Sequence, residues 1–411
     1  MYLKRIAFLS ATVTLLGSVA HANCGPEGHS IRVLGSDFPA IQAVTSVASA
    51  NCSGGASEFE VTLRDDTRDM MNQALTPNPA QFSSVIVANS TLTQLMNDGL
   101  VRPLDDLVAK YGADLNPNQL ITVDGNVMAV AFMANSQHLY ARTDILEQAG
   151  VDSVPTSVDE MVAAAEAIRA AGIMEHPIVM NASSWNMGEL FNLFLFGSGG
   201  DHFVPGTAQP NINNATGVAA LESIAALAEY AHPDYLSHAS NETQALWEAG
   251  EAALGIMWGS RGGAILDGEG SSPAVTENTV LAAAPTAGGT VPASTLWWDG
   301  VTIAANVSDE EAEATFAALV GALGSDLLAE HSDDAIWLID GFQPGPAAAG
   351  VAATAAGGAK PYPMIPFINL MHNAASAEVA DFLQGNETAE QTLADIEAAY
   401  VTAATEAGFL Q

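Results

Sequence analysis

Short apolar runs alternate with stretches of helical period through the first hundred residues. Ser30 to Leu34 and Glu58 to Leu63 read as strands, and Phe82 to Ala88 is a third apolar run. Between them, Pro39 to Ala50 and Asp66 to Leu75 are helical in pattern. This alternation predicts an α/β fold with a largely parallel sheet. In open α/β sheets ligands lie beyond the carboxyl ends of strands. The residues after each run therefore draw attention: Ser36-Asp37-Phe38, Arg64-Asp65-Asp66 and Asn89-Ser90-Thr91. Asp37 and Ser90 also suit the N-cap position of the helices that follow.

Later helices are punctuated more sharply. Ser157-Val158-Asp159-Glu160 is a capping box after Pro155, opening a helix that stops at Gly172. Ser308-Asp309-Glu310-Glu311 opens another, running to about Leu323. Asp381 to Phe409 is helical in pattern with a break at Gly385. Pro344 to Lys360, rich in Gly, Ala and Pro, has no useful period and reads as a connecting loop. No internal repeat is visible.

Leu296-Trp297-Trp298-Asp299-Gly300 stands out against this background, because two adjacent indoles precede an aspartate and a glycine. The apolar alternation Val301-Thr302-Ile303-Ala304 follows, so the stretch reads as a loop entering a strand. Neighbouring side chains of a strand point to opposite faces. One tryptophan then packs inward while the other faces a cleft beside Asp299. A flat apolar ring next to a carboxylate suits a ligand with an apolar face and polar edges, as a sugar has. The plainer reading is a buried aromatic pair, with Asp299 as a turn residue.

Composition and charge narrow the class. Lys4 and Arg5 precede an uncharged, mostly apolar run from Ile6 to Ala20, and Ala20-His21-Ala22 is a small-residue cleavage site. The leader is 1–22, the mature chain begins at Asn23, and the product is expected in the periplasm. A lipid anchor at Cys24 is rejected, because Asn23 and His21 do not fit the residues such a site needs. Cleavage leaves 389 of the 411 residues, more than a single core usually supports, so two domains are expected. The whole chain carries net charge −36 from 47 acidic and 11 basic residues. Losing Lys4 and Arg5 takes this to −38, which argues against nucleic acid and anionic membranes as partners. Cys24 and Cys52 are the two cysteines. In an oxidising compartment they are expected to pair, since a strand and a returning helix of about 18 Å bring the chain back to its start. Two free thiols are the alternative.

Enzyme chemistry leaves no local trace. There is no G-x-S-x-G, and Gly259-Ser260-Arg261-Gly262 has the wrong spacing. Gly268-Glu269-Gly270 fails as a dinucleotide fingerprint at Pro273, and no H-E-x-x-H occurs. His232 and His238 are six apart with Pro233 between, a poor geometry for metal on a helix. No metal, cofactor or catalytic residue is assigned.

Four stretches carry a family resemblance. Tyr140-Ala-Arg-Thr-Asp144-Ile-Leu-Glu-Gln-Ala-Gly150 continues into Val154-Pro155-Thr156-Ser157-Val-Asp-Glu160. Trp247-Glu-Ala-Gly250 leads through Ala252-Ala253-Leu254 to Trp258-Gly259-Ser260. Gly99-Leu100-Val101-Arg102-Pro103-Leu104-Asp105 precedes both, and Trp298 to Asn306 follows. In this order the set resembles the extracellular solute-binding proteins of carbohydrate ABC transporters, the maltose-binding-protein-like family 1. Trp-Trp-Asp-Gly stands where Gly-Gly is usual, and Glu251 where Lys is usual. The resemblance implies a two-lobed periplasmic binding protein fold, α/β in each lobe, with mostly parallel sheets and a ligand cleft between lobes that closes about a hinge. The first lobe would comprise 23–132 and 291–345 and the second 133–290. The helical segment 346–411 would pack mainly on the second lobe. Implied cleft contacts are Asp37, Asp65, Asp66, Asn89, Ser90, Trp258, Arg261, Trp297, Trp298 and Asp299, joined by Trp185 and Tyr362. Implied function is capture of a mono- or oligosaccharide or a polyol by a monomer that delivers it to a membrane permease, without catalysis. A quaternary ammonium ligand held in a tryptophan cage and a secreted carbohydrate-active enzyme are the alternatives.

Overall fold

The computed structural model describes residues 25–26, 28–52 and 58–411. The leader 1–22 and Cys24 lie outside the described residues. Two sheets organise the chain. The first contains β1 (Ile31–Gly35), β2 (Phe59–Leu63), β3 (Ser84–Ala88), β4 (Leu120–Val123) and β5 (Asn126–Asn135). The second contains β6 (Gln137–Arg142), β7 (Ile178–Met180), β8 (Leu254–Trp258) and β9 (Thr279–Ala282). The chain then returns to the first sheet through β10 (Thr295–Val301), β11 (Ile336–Trp337) and β12 (Lys360–Pro361). The first sheet runs β11-β5-β10-β3-β1-β2, with β4 on β5 and β12 on β10, and the second runs β7-β8-β6-β9.

Each early apolar run became the strand its pattern suggested. β3, Ser-Val-Ile-Val-Ala, is buried along its whole length because its faces are both covered by other elements. Helix Pro39–Cys52 buries Ala40, Ile41, Val44 and Ala48 at helical spacing. Its last residue, Cys52, is buried as well. Ser157 Oγ accepts from Glu160 N at 3.2 Å, and Glu160 Oε2 accepts from Thr156 N at 2.7 Å. These bonds open the helix Val158–Ala170. Ser308 Oγ likewise accepts from Glu311 N at 3.1 Å to open Asp309–Gly321.

Three expectations need correction. The sheets are mixed rather than mostly parallel. β1 pairs parallel with β2 and β3, and β7 with β8. β10, however, returns from the second lobe and enters antiparallel between β3 and β5. β6 is antiparallel to both its neighbours. The cause is the crossing chain: β5 and β6 are separated by Ser136 alone, so the path runs straight from one sheet into the other. The second correction concerns Leu296 to Gly300, which is not a loop before a strand but lies within β10. The third is that Pro344 to Lys360 is not all loop. It contains the helix Ala349–Ala356. Its low side-chain content hid the period, yet Val351 and Thr354 are buried. Thr354 Oγ1 accepts from Ala284 N at 3.0 Å. At Gly350 a Cβ would come within 2.3 Å of the His138 ring, so only glycine lets this helix lie so close to β6.

The apolar core divides with the sheets. One cluster gathers Ile31, Val85, Phe132 and Phe316 about the first sheet. Another gathers Leu139, Phe191, Leu254 and Ile224 about the second. The closing helices Ile368–Leu383 and Ala389–Glu406 add Met371, Leu393, Ile396 and Tyr400 to that second cluster.

Candidate functional site

A cavity of about 290 Å³ opens between the two sheets. Its first-lobe wall is built at the carboxyl ends of β1, β2 and β3 by Asp37, Asp65 and Ala88, with Arg68 in the first turn of the helix that follows β2, Thr67–Leu75. Its second-lobe wall holds Trp185, Trp258, Ser260 and Arg261, and the rim Ala239–Glu242. Asn135, Trp297 and Asp299 come from the crossing strands β5 and β10.

Strand alternation sets the floor. Trp297 and Asp299 share one face of β10 and line the cavity, while Trp298 on the other face packs against the first-lobe core. The pairing of β10 with β5 slips between Asp299 and Gly300, from partner Met133 to partner Ala131. Such an irregularity re-aims side chains locally.

Trp297 is the hub of an aromatic cluster. Its ring centroid lies 5.6 Å from those of Trp185 and Trp258, edge to face in both cases, and 4.2 Å from that of Tyr362. Trp297 is only 4% exposed, so its indole N–H needs a buried partner. Nε1 donates to Glu189 Oε1 at 3.0 Å and to Thr295 Oγ1 at 2.6 Å. Glu189 also accepts from the Thr295 hydroxyl and from Asn192 Nδ2 at 3.1 Å. Burial pushes the Glu189 carboxyl up to about 7, against the pull of these donors and of Arg68. Behind them His372 Nε2 donates to Trp185 O at 2.9 Å. This fixes its Nδ1 as an acceptor for Tyr362 OH and Asn192 Nδ2, both at 3.1 Å. Burial holds His372 down at about 3, hence neutral. Trp185 follows Ser184, whose φ of 45° is a strained value for a side chain. The strained residue is anchored by its neighbours, since Ala182 N and Ser183 N both donate to His238 O at 3.0 Å.

Charge in the cavity is arranged unevenly. Asp37, Asp65 and Glu242 are exposed at its mouth. Inside, the Arg68 guanidinium sits 3.7 Å over the centre of the Trp185 ring, a cation–π contact across the lobes. Burial lowers the Arg68 pKa, with Asp299 opposing. Burial pushes the Asp299 carboxyl up to about 7, with Arg68 opposing. Arg261 Nη1 donates to Gln244 Oε1 at 3.3 Å. Asn135 ties the crossing strand to the end of β8, its Oδ1 accepting from Ser260 N at 3.1 Å and its Nδ2 donating to Ser260 Oγ at 3.2 Å.

Of the residues singled out from sequence, seven meet at this cavity: Asp37, Asp65, Trp185 and Trp258, with Arg261, Trp297 and Asp299. Five do not line it. Asp66 is turned outward into a two-bond ion pair with Arg64. Asn89 and Ser90 are neither loop nor cap but the buried first turn of helix Asn89–Asn97. There Asn89 Nδ2 donates to Leu296 O at 3.1 Å, and Ser90 O accepts from Asn369 Nδ2 at 2.8 Å. Trp298 is on the far face of β10, and Tyr362, 1% exposed, stands behind Trp297. Asp37 does not cap its helix; its carboxylate accepts from Gln42 Nε2 at 2.7 Å. Sequence reading missed Arg68, Glu189 and Asn135. Glu189 had a signal: it is the one acid in the apolar run Trp185 to Gly197, four residues and one helical turn after Trp185.

Two α/β lobes joined by crossing strands, with a cavity between them, make up the two-lobed architecture of a periplasmic binding protein. The family model described as bacterial extracellular solute-binding protein matches residues 78–323, and the chain belongs to that family. A solute-binding protein of Agrobacterium radiobacter K84 in complex with ribitol shares the fold with a TM-score of 0.77 at 19% identity, over 90% of this chain and 98% of that one. Maltose-bound MalE3 of T. maritima gives 0.76 at 18% identity, over 90% and 99%. A solute-binding protein of Agrobacterium vitis S4 with bound D-mannitol gives 0.75 at 20%, over 92% and 99%. At these identities the likeness is one of fold. A Deinococcus radiodurans protein named "Probable ABC transporter-binding protein" is 26% identical over 209 residues, 47% of this chain. The chain spans less than half of that curated relative, 46% of its length.

Proposed function

We propose that this protein is the exported capture subunit of an ABC transporter for a sugar or polyol, and that it passes its ligand to a membrane permease. The observation that carries the reading is the cavity itself, with an indole wall around Trp297 and hydrogen-bonding groups on the opposite side. Indole faces cover the C–H faces of a sugar, and Asp, Asn and Arg meet its hydroxyls directionally. The fold neighbours bound to maltose, ribitol and D-mannitol support the same class. The contacts are assigned to Trp185, Trp258, Trp297, Asp299, Asp37, Asp65, Arg68 and Arg261. A quaternary ammonium ligand is disfavoured by the two guanidinium groups already in the cavity. Membership of a solute-binding family supports capture without turnover.

A thermal-shift screen of the chain from Asn23 against sugars, polyols and betaines tests the reading. A ligand at about 100 times its dissociation constant adds about 2.7 kcal/mol of stability. A hit among betaines alone would reject the sugar class. We further infer that the leader is removed after Ala22 without lipidation and that Cys24 pairs with Cys52. Intact mass of exported protein, alkylated with and without prior reduction, reports both, and two alkylated cysteines without reductant would reject the pairing.

A further inference from the structure

The described residues carry nine Lys and Arg side chains, and seven of them sit in ion pairs. Arg32 pairs with Glu311, Arg64 with Asp66, Arg102 with Asp309 and Lys110 with Glu313. Arg142 pairs with Asp144, Arg169 with Glu175 and Lys360 with Asp201. In so acidic a chain a partner is easy to find. The two left without one are Arg68 and Arg261, and both line the cavity, one from each lobe. Arg68 donates no hydrogen bond within the described residues, and its Nη1 is buried without a partner. Arg261 makes a single long bond to Gln244, and its Nε is likewise buried without a partner.

We propose that the ligand is a sugar acid, a uronate or aldonate, whose carboxylate is held between Arg68 of the first lobe and Arg261 of the second. The proposal rests on the capture function above and narrows its ligand. A neutral sugar's hydroxyls can accept from the two guanidinium groups, but closing it into the cleft would bury both charges with no counter-charge from the ligand, a costly arrangement. A carboxylate accepts from two guanidinium forks at once. The charge balance favours an anion: inside the cavity two guanidiniums face one inward carboxyl, Asp299. The remaining neighbours are accounted for. Glu189 lies behind Trp297 and is occupied by its own donors. Asp69, Asp37, Asp65 and Glu242 are exposed, where water and salt weaken their reach.

Calorimetry on the chain from Asn23 with matched probes decides the matter: D-galacturonate against D-galactose, D-glucuronate against D-glucose, and D-gluconate against D-sorbitol, with D-glucose 6-phosphate as a dianion. At least one acid should bind ten-fold or more tightly than its neutral partner. Arg68→Met and Arg261→Met should each weaken binding of the acid more than binding of its neutral partner, so that the preference between the two is lost. Arg261→Lys, which keeps the charge and loses the fork, should keep part of it. A neutral probe that binds as tightly as its acid overturns the sugar-acid assignment and leaves sugar capture standing. Tightest binding by the phosphate overturns the carboxylate assignment. Binding by none of the probes overturns this proposal, and an empty sugar and polyol screen alongside it overturns the capture function too.

Discussion

Trp297 and Trp298 are the same residue at adjacent positions of one strand, yet they belong to different parts of the molecule. Trp297 faces the gap between lobes, contacts three aromatic rings and sends its N–H to a buried carboxyl. Trp298 faces the first-lobe core and is partly buried. A strand alone puts the two on opposite sides. What makes one side a cavity wall is that β10 lies between β3 and β5, where the chain crosses from one sheet to the other. Adjacent identity in sequence therefore says nothing about shared role once the strand separates two environments.

The contrast can be broken by substitution. Trp297→Ala should have the largest effect, removing the wall from three rings and leaving Glu189 without its indole donor. A loss of about 3–5 kcal/mol in urea unfolding is expected, together with loss of ligand binding by calorimetry. Trp298→Ala should cost less stability, about 1–3 kcal/mol for a partly buried ring, and should leave ligand affinity within about threefold, below 1 kcal/mol. If both variants lose binding equally, the division between the faces of β10 is wrong.

Titration of the carboxyls around Trp297 sharpens the same picture. Asp299 and Glu189 are both held up at about 7, above their unfolded range near 4. A raised carboxyl pKa means that the folded protein prefers the proton. This contribution is complete below the unfolded pKa and is lost as pH rises through about 7. Folding stability should therefore fall between about pH 4.5 and 7, and Glu189→Gln should remove roughly 1–3 kcal/mol of that fall. Urea midpoints at pH 5 and 7.5 for both proteins would show it, and parallel pH profiles would rule it out. The smallest effect belongs to Asp66→Ala. That carboxylate is exposed, held by Arg64 below its ordinary range, and turned away from the cavity. Neither melting temperature nor affinity should move measurably, whereas a drop in affinity would return Asp66 to the site.

Much of the site was legible because its residues obey local rules. Asp37 and Asp65 follow strands that announced themselves by apolar runs, and strand ends are where an α/β sheet presents its ligands. Asn89 and Ser90 follow β3 in the same way, yet helix Asn89–Asn97 begins at once and buries both in its first turn. The rule finds the strand end but not the residue at which the next helix starts. Arg68 escaped for a related reason: it lies past the strand end, on a helix whose facing direction depends on how it packs.

The order of most strands and helices, the side-chain caps at Ser157 and Ser308, and the opposite orientation of Trp297 and Trp298 are set by residues within a few positions of one another. Steric preference, side-chain caps and the two-residue period of a strand act over that range, so the sequence by itself determined them. The direction of β10, the crossing at Ser136, the helix hidden in Ala349–Ala356 and the meeting of Arg68 with Trp185 were decided only by the tertiary structure. Each joins residues far apart in the chain, and such contacts depend on which packing buries the most surface while giving each buried polar group a partner.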